Sequence, residues 1–371
     1  MARIVSLSLT LVALLISLAS ASEPIRIGAL LPMTGSVAAF GQMGWDGFQT
    51  ARKIQPEALG RPVELKLSDT KSDKVDSANA VSRLIEKEKV VAVLGEMISG
   101  DTIAAADYAE RAKIPMISPT ATNPIVTQGK KFIFRVCFID PEQGRVGAKL
   151  ALDNLKAKTA AIIYDISQDY CVGLKTFFQR EFTQSGGKVV SETMFKTGDR
   201  DFTPQLSRIK SLNPDVIYAP IYYTECALIA KQAREMGLNV PILAGDGVQA
   251  PEFIQLGGKD VEGVYFTTHF HEDMVDNPLG KKYLDLFKKD TGKELDAFAA
   301  QAGDAYFVLI DAINRAGSTD PEKIRDAIAA TRDFNGVTGK ITMKPDGNAI
   351  KAMVVSKVKD GKFAYVTTIV P

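Results

Sequence analysis

Histidine, cysteine and tryptophan are scarce in this chain, and net charge is almost absent. Of 371 residues only two are histidine, three are cysteine and one is tryptophan. His269 and His271 are the only candidates for a histidine base, and no G-x-S-x-G elbow accompanies them, so no catalytic residue is expected. They lie at the end of one predicted strand, spaced by two on one face, beside Glu272 and Asp273. A three- or four-ligand metal spacing is missing, so this segment reads as an exposed link between lobes and no metal is expected. A Walker A loop and a G-x-G-x-x-G turn after a strand are both lacking. Gly245-Asp246-Gly247 is too short for either and reads as a turn after a late strand. No cofactor is expected.

Charge of one sign is also missing. Lysine plus arginine (45) nearly equals aspartate plus glutamate (44), leaving no net field to hold nucleic acid or an anionic membrane. Local pairs such as Lys130-Lys131 and Lys281-Lys282 read as solvated faces. Long apolar runs are confined to the first 22 residues, where Arg3 precedes the Ile4–Leu18 run and Ala19-Ser20-Ala21 forms an A-x-A-like site. This reads as a cleaved secretory signal, cut after Ala21 or Ser22, with no cysteine at the junction for a lipid anchor. Beyond it nothing is long and apolar enough to span a bilayer, so a soluble exported chain is expected. Three cysteines in such a chain leave at least one thiol free. Cys171 and Cys226 each follow a predicted strand end, so a bridge between them and three buried thiols both remain open.

What is present is a layered α/β pattern. The stretch Leu94–Pro124 contains two short apolar runs, Val90–Leu94 and Pro115–Ile117, on either side of an alanine-rich helical segment, Thr102–Ala112. The runs end in small hydroxyl residues, Ser99 in one and Ser118, Thr120 and Thr122 in the other. Ligands of open parallel sheets collect at the carboxyl ends of strands, and free N–H groups at helix starts hold small anions. The hydroxyls are therefore expected to ring a cleft.

The same alternation runs along the chain. Ile25–Leu31 and Val63–Leu67 read as strands, with Gly41–Ile54 and Asp76–Glu88 as helices. A second α/β lobe begins near Asp140, with strands at Ala160–Tyr164, Lys188–Thr193, Asp215–Ala219, Pro241–Ala244 and Val264–Thr267. Helical readings then cluster at Lys281–Thr291, Ala297–Ala316 and Pro321–Ala330, before strand-like runs at Lys340–Met343 and Ala352–Val358. The late helices need a sheet to cover, and the first lobe is short of helices. The expected fold is two doubly wound parallel-sheet lobes joined by three crossover strands, with residues 23–141 plus 271–349 in one and 142–270 plus 350–371 in the other. About 350 residues also exceed one comfortable core. Phe40, Tyr170, Tyr222 and Phe298 fall at expected strand-to-helix junctions. With Met97 and Ile98 they suggest an apolar pocket beside the hydroxyls. Asp246 stands at the carboxyl end of a second-lobe strand.

Taken together, LLPMTGSVAAFG, ISPTATNP and the YY…QAREMGL…GDGV run resemble the leucine/isoleucine/valine-binding proteins, type I periplasmic solute-binding proteins of ATP-driven uptake systems. The resemblance spans Glu23 to about Lys359. It implies that Ser99 binds an amino acid carboxylate through hydroxyl and N–H. Thr122 would add an N–H to the carboxylate and a hydroxyl to the ammonium, and Thr120 a backbone carbonyl to the ammonium. It puts Asp246 opposite, as the acid paired with the ammonium, and Phe40, Met97, Ile98, Tyr170, Tyr222 and Phe298 on the pocket wall. It further implies a periplasmic monomer that delivers its ligand to an ABC permease in the inner membrane. Three departures stand out. The family acid is typically glutamate, one methylene longer than Asp246. A first-lobe disulfide is missing, with Ile98 at one of its positions. The Asp165–Tyr170 loop is one residue longer. An amide, urea or aromatic acid as ligand, or a ligand-sensing role, is the alternative within this fold.

Overall fold

The computed structural model describes residues 23–369; the expected leader, Met1–Ser22, lies outside the described residues. Two parallel-rich sheets form two lobes. The first runs, in spatial order, Glu57–Ala58, Arg61–Asp69, Ile25–Leu31, Ala92–Gly95, Met116–Ser118 and Ile133–Arg135. Ile25–Leu31 is apolar on both faces because helices cover both sides of a central parallel strand. The chain leaves it for Arg61–Asp69 on one side and returns to Ala92–Gly95 on the other. That reversal is the switch point where crevices open in such sheets. Gly95 ends the second strand with φ at +113°, and a side chain there would strike the Leu30 carbonyl, so the turn toward the crevice needs glycine.

The second sheet runs Lys362–Ile369, Met353–Lys359, Tyr265–Thr268, Ile242–Ala244, Val216–Ala219, Thr159–Asp165 and Lys188–Phe195. Its last two chain segments join antiparallel at one edge. Its switch point lies between Thr159–Asp165 and Val216–Ala219.

The late helices return to the first lobe. Ala297–Ala316 is buried on nearly every face, capped by Asp296 at one end and ended by Gly317 at the other. It packs on Ala38–Ile54, where Gly47 lets the backbones approach, and the Tyr283 hydroxyl sits 2.9 Å from the Gly47 carbonyl and 2.7 Å from that of Ala299.

Three segments cross between the lobes: 136–139, 269–271 and 351–352. Two of them touch, and neighbouring residues brace the others. The Arg135 N–H donates to the Gly347 carbonyl at 3.0 Å, and Phe138 stacks on His269 at 4.2 Å. Lys351, buried, pairs with buried Asp304 at 3.5 Å.

Several elements differ from the sequence reading. Asp140–Lys149 is a helix, with Pro141 in its first turn and Asp140 and Glu142 at its positive end. Ile133–Arg135 is a strand too short to show a period. Pro251–Gly257 is a further short helix. The Lys340–Met343 run belongs to a small three-stranded sheet with Phe334–Gly336 and Ala349–Ile350. The Cys171–Cys226 bridge left open by the sequence is not formed. Cys137, Cys171 and Cys226 are all free and buried, packed as small apolar side chains in the core.

Candidate functional site

The two switch points face each other across the crossovers. The Ser99–Ala112 helix begins at the crevice with Ile98 as its cap residue, and among the described residues no side chain caps its first N–H groups. The Ser99 hydroxyl accepts the Asn123 N–H at 3.2 Å, which fixes it toward the Thr120–Asn123 loop. In that loop the Thr120 hydroxyl donates to the Met97 carbonyl at 2.7 Å. The Thr122 hydroxyl is buried and has no partner among the described residues. One edge of the crevice thus gathers unsatisfied donors at a helix start, a place suited to a small anion.

Ser118 does not share this role. Its hydroxyl donates to the Glu96 carbonyl at 2.6 Å and accepts the Ala121 N–H, so it braces the loop from behind. Glu96 lies behind the same edge, accepting from the Ile98 N–H at 2.6 Å and from the Thr70 hydroxyl at 3.0 Å. Burial, with Asp101 nearby, holds its carboxyl well above the usual range.

Across the crevice, Asp246 opens the turn after Ile242–Ala244 and is only 4% exposed. Its Oδ1 accepts from Gln143 Nε2 at 2.7 Å and its Oδ2 lies 3.0 Å from His269 Nε2. The Gly247 N–H donates to the Tyr170 hydroxyl at 3.2 Å, pinning the turn to the neighbouring helix.

The walls are aromatic. Phe40 and Phe298 stack at 4.0 Å and 6° in the first lobe, while Tyr170 and Tyr222 stack at 5.2 Å and 16° in the second. Phe40 meets Tyr222 edge-on at 5.9 Å, so the two pairs form one continuous surface between lobes. Each of the four rings sits at a helix start. Phe298, however, follows a helix rather than a strand.

All ten positions singled out in the sequence (Ser99, Thr120, Thr122, Asp246, Phe40, Met97, Ile98, Tyr170, Tyr222 and Phe298) line one cavity, together with Gly247. It is a tight space: the room open to the centre of a water-sized sphere is about 10 Å³. The mouth is shut by contacts between lobes. Lys74 Nζ lies 2.6 Å from Asp169 Oδ2, and Asn123 Nδ2 donates to the Asp169 carbonyl at 2.9 Å. The Tyr223 hydroxyl sits between the Ser36 carbonyl and the Ala39 N–H. A closed two-lobed shell with an anion-holding edge, an opposing acid and apolar walls is what a small zwitterion with an apolar side chain requires.

A family model described as periplasmic binding protein matches residues 24–362. The chain belongs to the periplasmic binding protein family. A Leu/Ile/Val-binding protein of Rhizobium johnstonii is 33% identical to it over 349 residues, covering 92% of this chain and 94% of that one. Among solved structures, a leucine binding protein, LivK, of Thermotoga maritima superposes with a TM-score of 0.92 at 50% identity, covering 94% of this chain and 99% of that one. The branched-chain amino acid transporter substrate binding protein LivJ of Streptococcus pneumoniae, solved with isoleucine, gives a TM-score of 0.88 at 31% identity, covering 94% and 100%. The type I fold with two lobes is thereby established for this periplasmic binding protein.

Two residues of the binding protein's crevice escaped the sequence reading. His269 was expected on an exposed link; it is 1% exposed, because the Asp246 carboxylate gives its ring a partner and Phe138 gives it a face. His271 alone is partly exposed, 3.3 Å from Asp273. Gln143 was read only as part of a lobe boundary. No local sequence signal marked either. His269 follows directly on the strand Tyr265–Thr268, and Gln143 Nε2 reaches the Thr267 hydroxyl of that strand at 2.9 Å as well as Asp246. Asp140 is also buried, with neither oxygen hydrogen-bonded among the described residues. Burial pushes its carboxyl up to about 8, with the Asp246 charge adding to the rise and Arg135 opposing it.

Proposed function

We propose that this protein is the periplasmic receptor of an ABC-type amino acid uptake system and binds a branched-chain or other small apolar amino acid between its lobes. One observation carries the reading. Donors at the Ser99 helix start in one lobe face the Asp246 carboxylate of the other across a cavity with aromatic walls. The α-carboxylate is held by the Ser99 hydroxyl and N–H and by the Thr122 N–H. The ammonium is held by the Thr122 hydroxyl, the Thr120 carbonyl and Asp246. Phe40, Met97, Ile98, Tyr170, Tyr222 and Phe298 select the side chain by shape. Leucine, isoleucine and valine are the favoured ligands, in keeping with the names of its relatives.

The chain acts by closure, without chemical turnover. Lobes built from residues 23–141 plus 271–349 and from 142–270 plus 350–371 hinge at the crossovers. Ligand held by the first lobe draws Asp246 onto its ammonium, shifting an open–closed equilibrium. Met1–Ser22 directs export and is removed. The closed monomer then docks on its permease in the inner membrane.

Calorimetry on the purified chain tests this, titrating leucine, isoleucine and valine beside benzoate, acetamide and urea. Saturable binding of the three amino acids, with a smaller radius of gyration in scattering when bound, is expected. Binding of benzoate or an amide in preference to any amino acid would overturn it.

A further inference from the structure

We propose that His269 and Gln143 are positioning residues for ligand capture, holding Asp246 in the one orientation that meets an ammonium and tying that acid to the hinge. The inference rests on the amino acid reading above.

Asp246 projects from a turn in which Gly245 and Gly247 flank it, so its own backbone offers little to fix its rotamer. Two buried donors do so instead. Gln143 Nε2 donates to Oδ1 at 2.7 Å and to the Thr267 hydroxyl at 2.9 Å. Its orientation is dictated, since a flipped amide would set Oε1 against the carboxylate. His269 Nε2 meets Oδ2 at 3.0 Å, and the ring carries its proton on that nitrogen because the carboxylate only accepts. Each carboxylate oxygen accepts two hydrogen bonds. With one site on each oxygen filled from behind, the remaining sites are left for a donor in the cavity. An aspartate has a single methylene, so its carboxylate reaches little beyond the backbone and tolerates little misplacement.

The two donors come from the two ends of the hinge. Gln143 lies on the Asp140–Lys149 helix, entered directly from the first crossover. His269 begins the second crossover and stacks on Phe138 of the first at 4.2 Å. The carboxylate is thus bonded directly to the second crossover and, through Gln143, to the helix entered from the first, so a load on Asp246 reaches the segments that move. In an opened cleft, water replaces a missing donor to Asp246; in the shut cavity it cannot. Removing either donor therefore penalises the closed, ligand-bound form selectively.

The test uses the full chain with leucine and its α-hydroxy analogue, which keeps the carboxylate and side chain and lacks the ammonium. His269→Phe keeps the stack on Phe138 and removes the donor. It is expected to weaken leucine at least about tenfold while changing the analogue less than about threefold. His269→Gln, which restores an N–H near the Nε2 position, should recover most of the loss, and Gln143→Leu should behave like His269→Phe. In an Asp246→Asn background, His269→Phe should add almost nothing. Equal losses for leucine and the analogue, or full additivity with Asp246→Asn, would mean a general packing role and overturn the inference. Wild-type protein that binds no amino acid would overturn the underlying reading instead, which keeps the two failures apart.

Discussion

Asp246→Asn removes one charge and almost no volume, and the structure indicates that the variant folds. In the wild type both carboxylate oxygens face donors, Gln143 Nε2 and His269 Nε2. The asparagine carbonyl keeps the Gln143 bond. Its amide then faces His269, which can accept by moving its proton to Nδ1. That nitrogen is buried and unpartnered already, so the tautomer change sacrifices no existing bond. What is lost is the opposing charge for the ammonium of the proposed ligand, enclosed between the lobes. Removing one member of a buried charge pair costs about 2–5 kcal/mol, a loss of roughly 30- to several-thousand-fold in affinity. Calorimetry with leucine, and with its α-hydroxy analogue as control, reads this directly. Leucine should weaken by at least that lower bound, and the analogue should hold or improve. The melting temperature should stay close to that of wild type. Leucine bound by Asp246→Asn as tightly as by wild type would refute the reasoning, because Asp246 would then be a turn residue with no ammonium partner.

Other outcomes follow from the same geometry. Burial pushes the Asp140 carboxyl up to about 8 and, with Asp73 nearby, that of Asp101 up to about 7, from 3.8 for each. The folded chain therefore holds more protons than the unfolded one from about pH 4 to about pH 8, so stability falls as pH rises through that window and levels off above it. Asp140→Asn should flatten the slope and raise stability by at least about 1 kcal/mol near pH 9 in urea melts; an unchanged slope counts against it. Burial pushes the Cys137 thiol up to about 12 and raises Cys171 and Cys226 as well. Thiol titration should find three reactive groups after unreduced denaturation and no fast one before it, whereas a single group after denaturation would restore the bridge. Gly245→Ala would overlap the Tyr170 hydroxyl and approach Leu174 Cδ2 to 2.8 Å. It should cost about 1–3 kcal/mol of stability and shift the Asp246 turn; leucine affinity equal to that of wild type would show that the turn tolerates the shift.

The fold was legible where the period was strong. Ala297–Ala316 was delimited to the residue because an aspartate precedes it and a glycine follows it. The need for those late helices to cover the first sheet followed from counting layers. Three-residue strands such as Ile133–Arg135 carry no period and were invisible. The cavity-lining side chains were legible for a different reason. They sit at element ends, where a doubly wound sheet opens, and the resembling motifs fixed their register. Gln143 and His269 were not, because nothing local distinguishes a residue that faces solvent from one buried against an acid over a hundred positions away. His269 and Asp246 are 23 residues apart, and Gln143 and Asp246 are 103 apart. Only the sheet order brings them together.

The three crossovers also dictate the order in which this chain can fold. Ala38–Ile54, near the start, lacks its main packing partner until Ala297–Ala316 exists, and the second sheet lacks an edge until Met353–Ile369 exists. Neither lobe is complete in any nascent fragment. Although the strands of the first sheet are close in sequence, both halves are completed only through contacts of long sequence separation made by the last part of the chain. Fragments ending before Ala297 should be digested rapidly by protease across both halves, with resistance appearing only in the full-length chain.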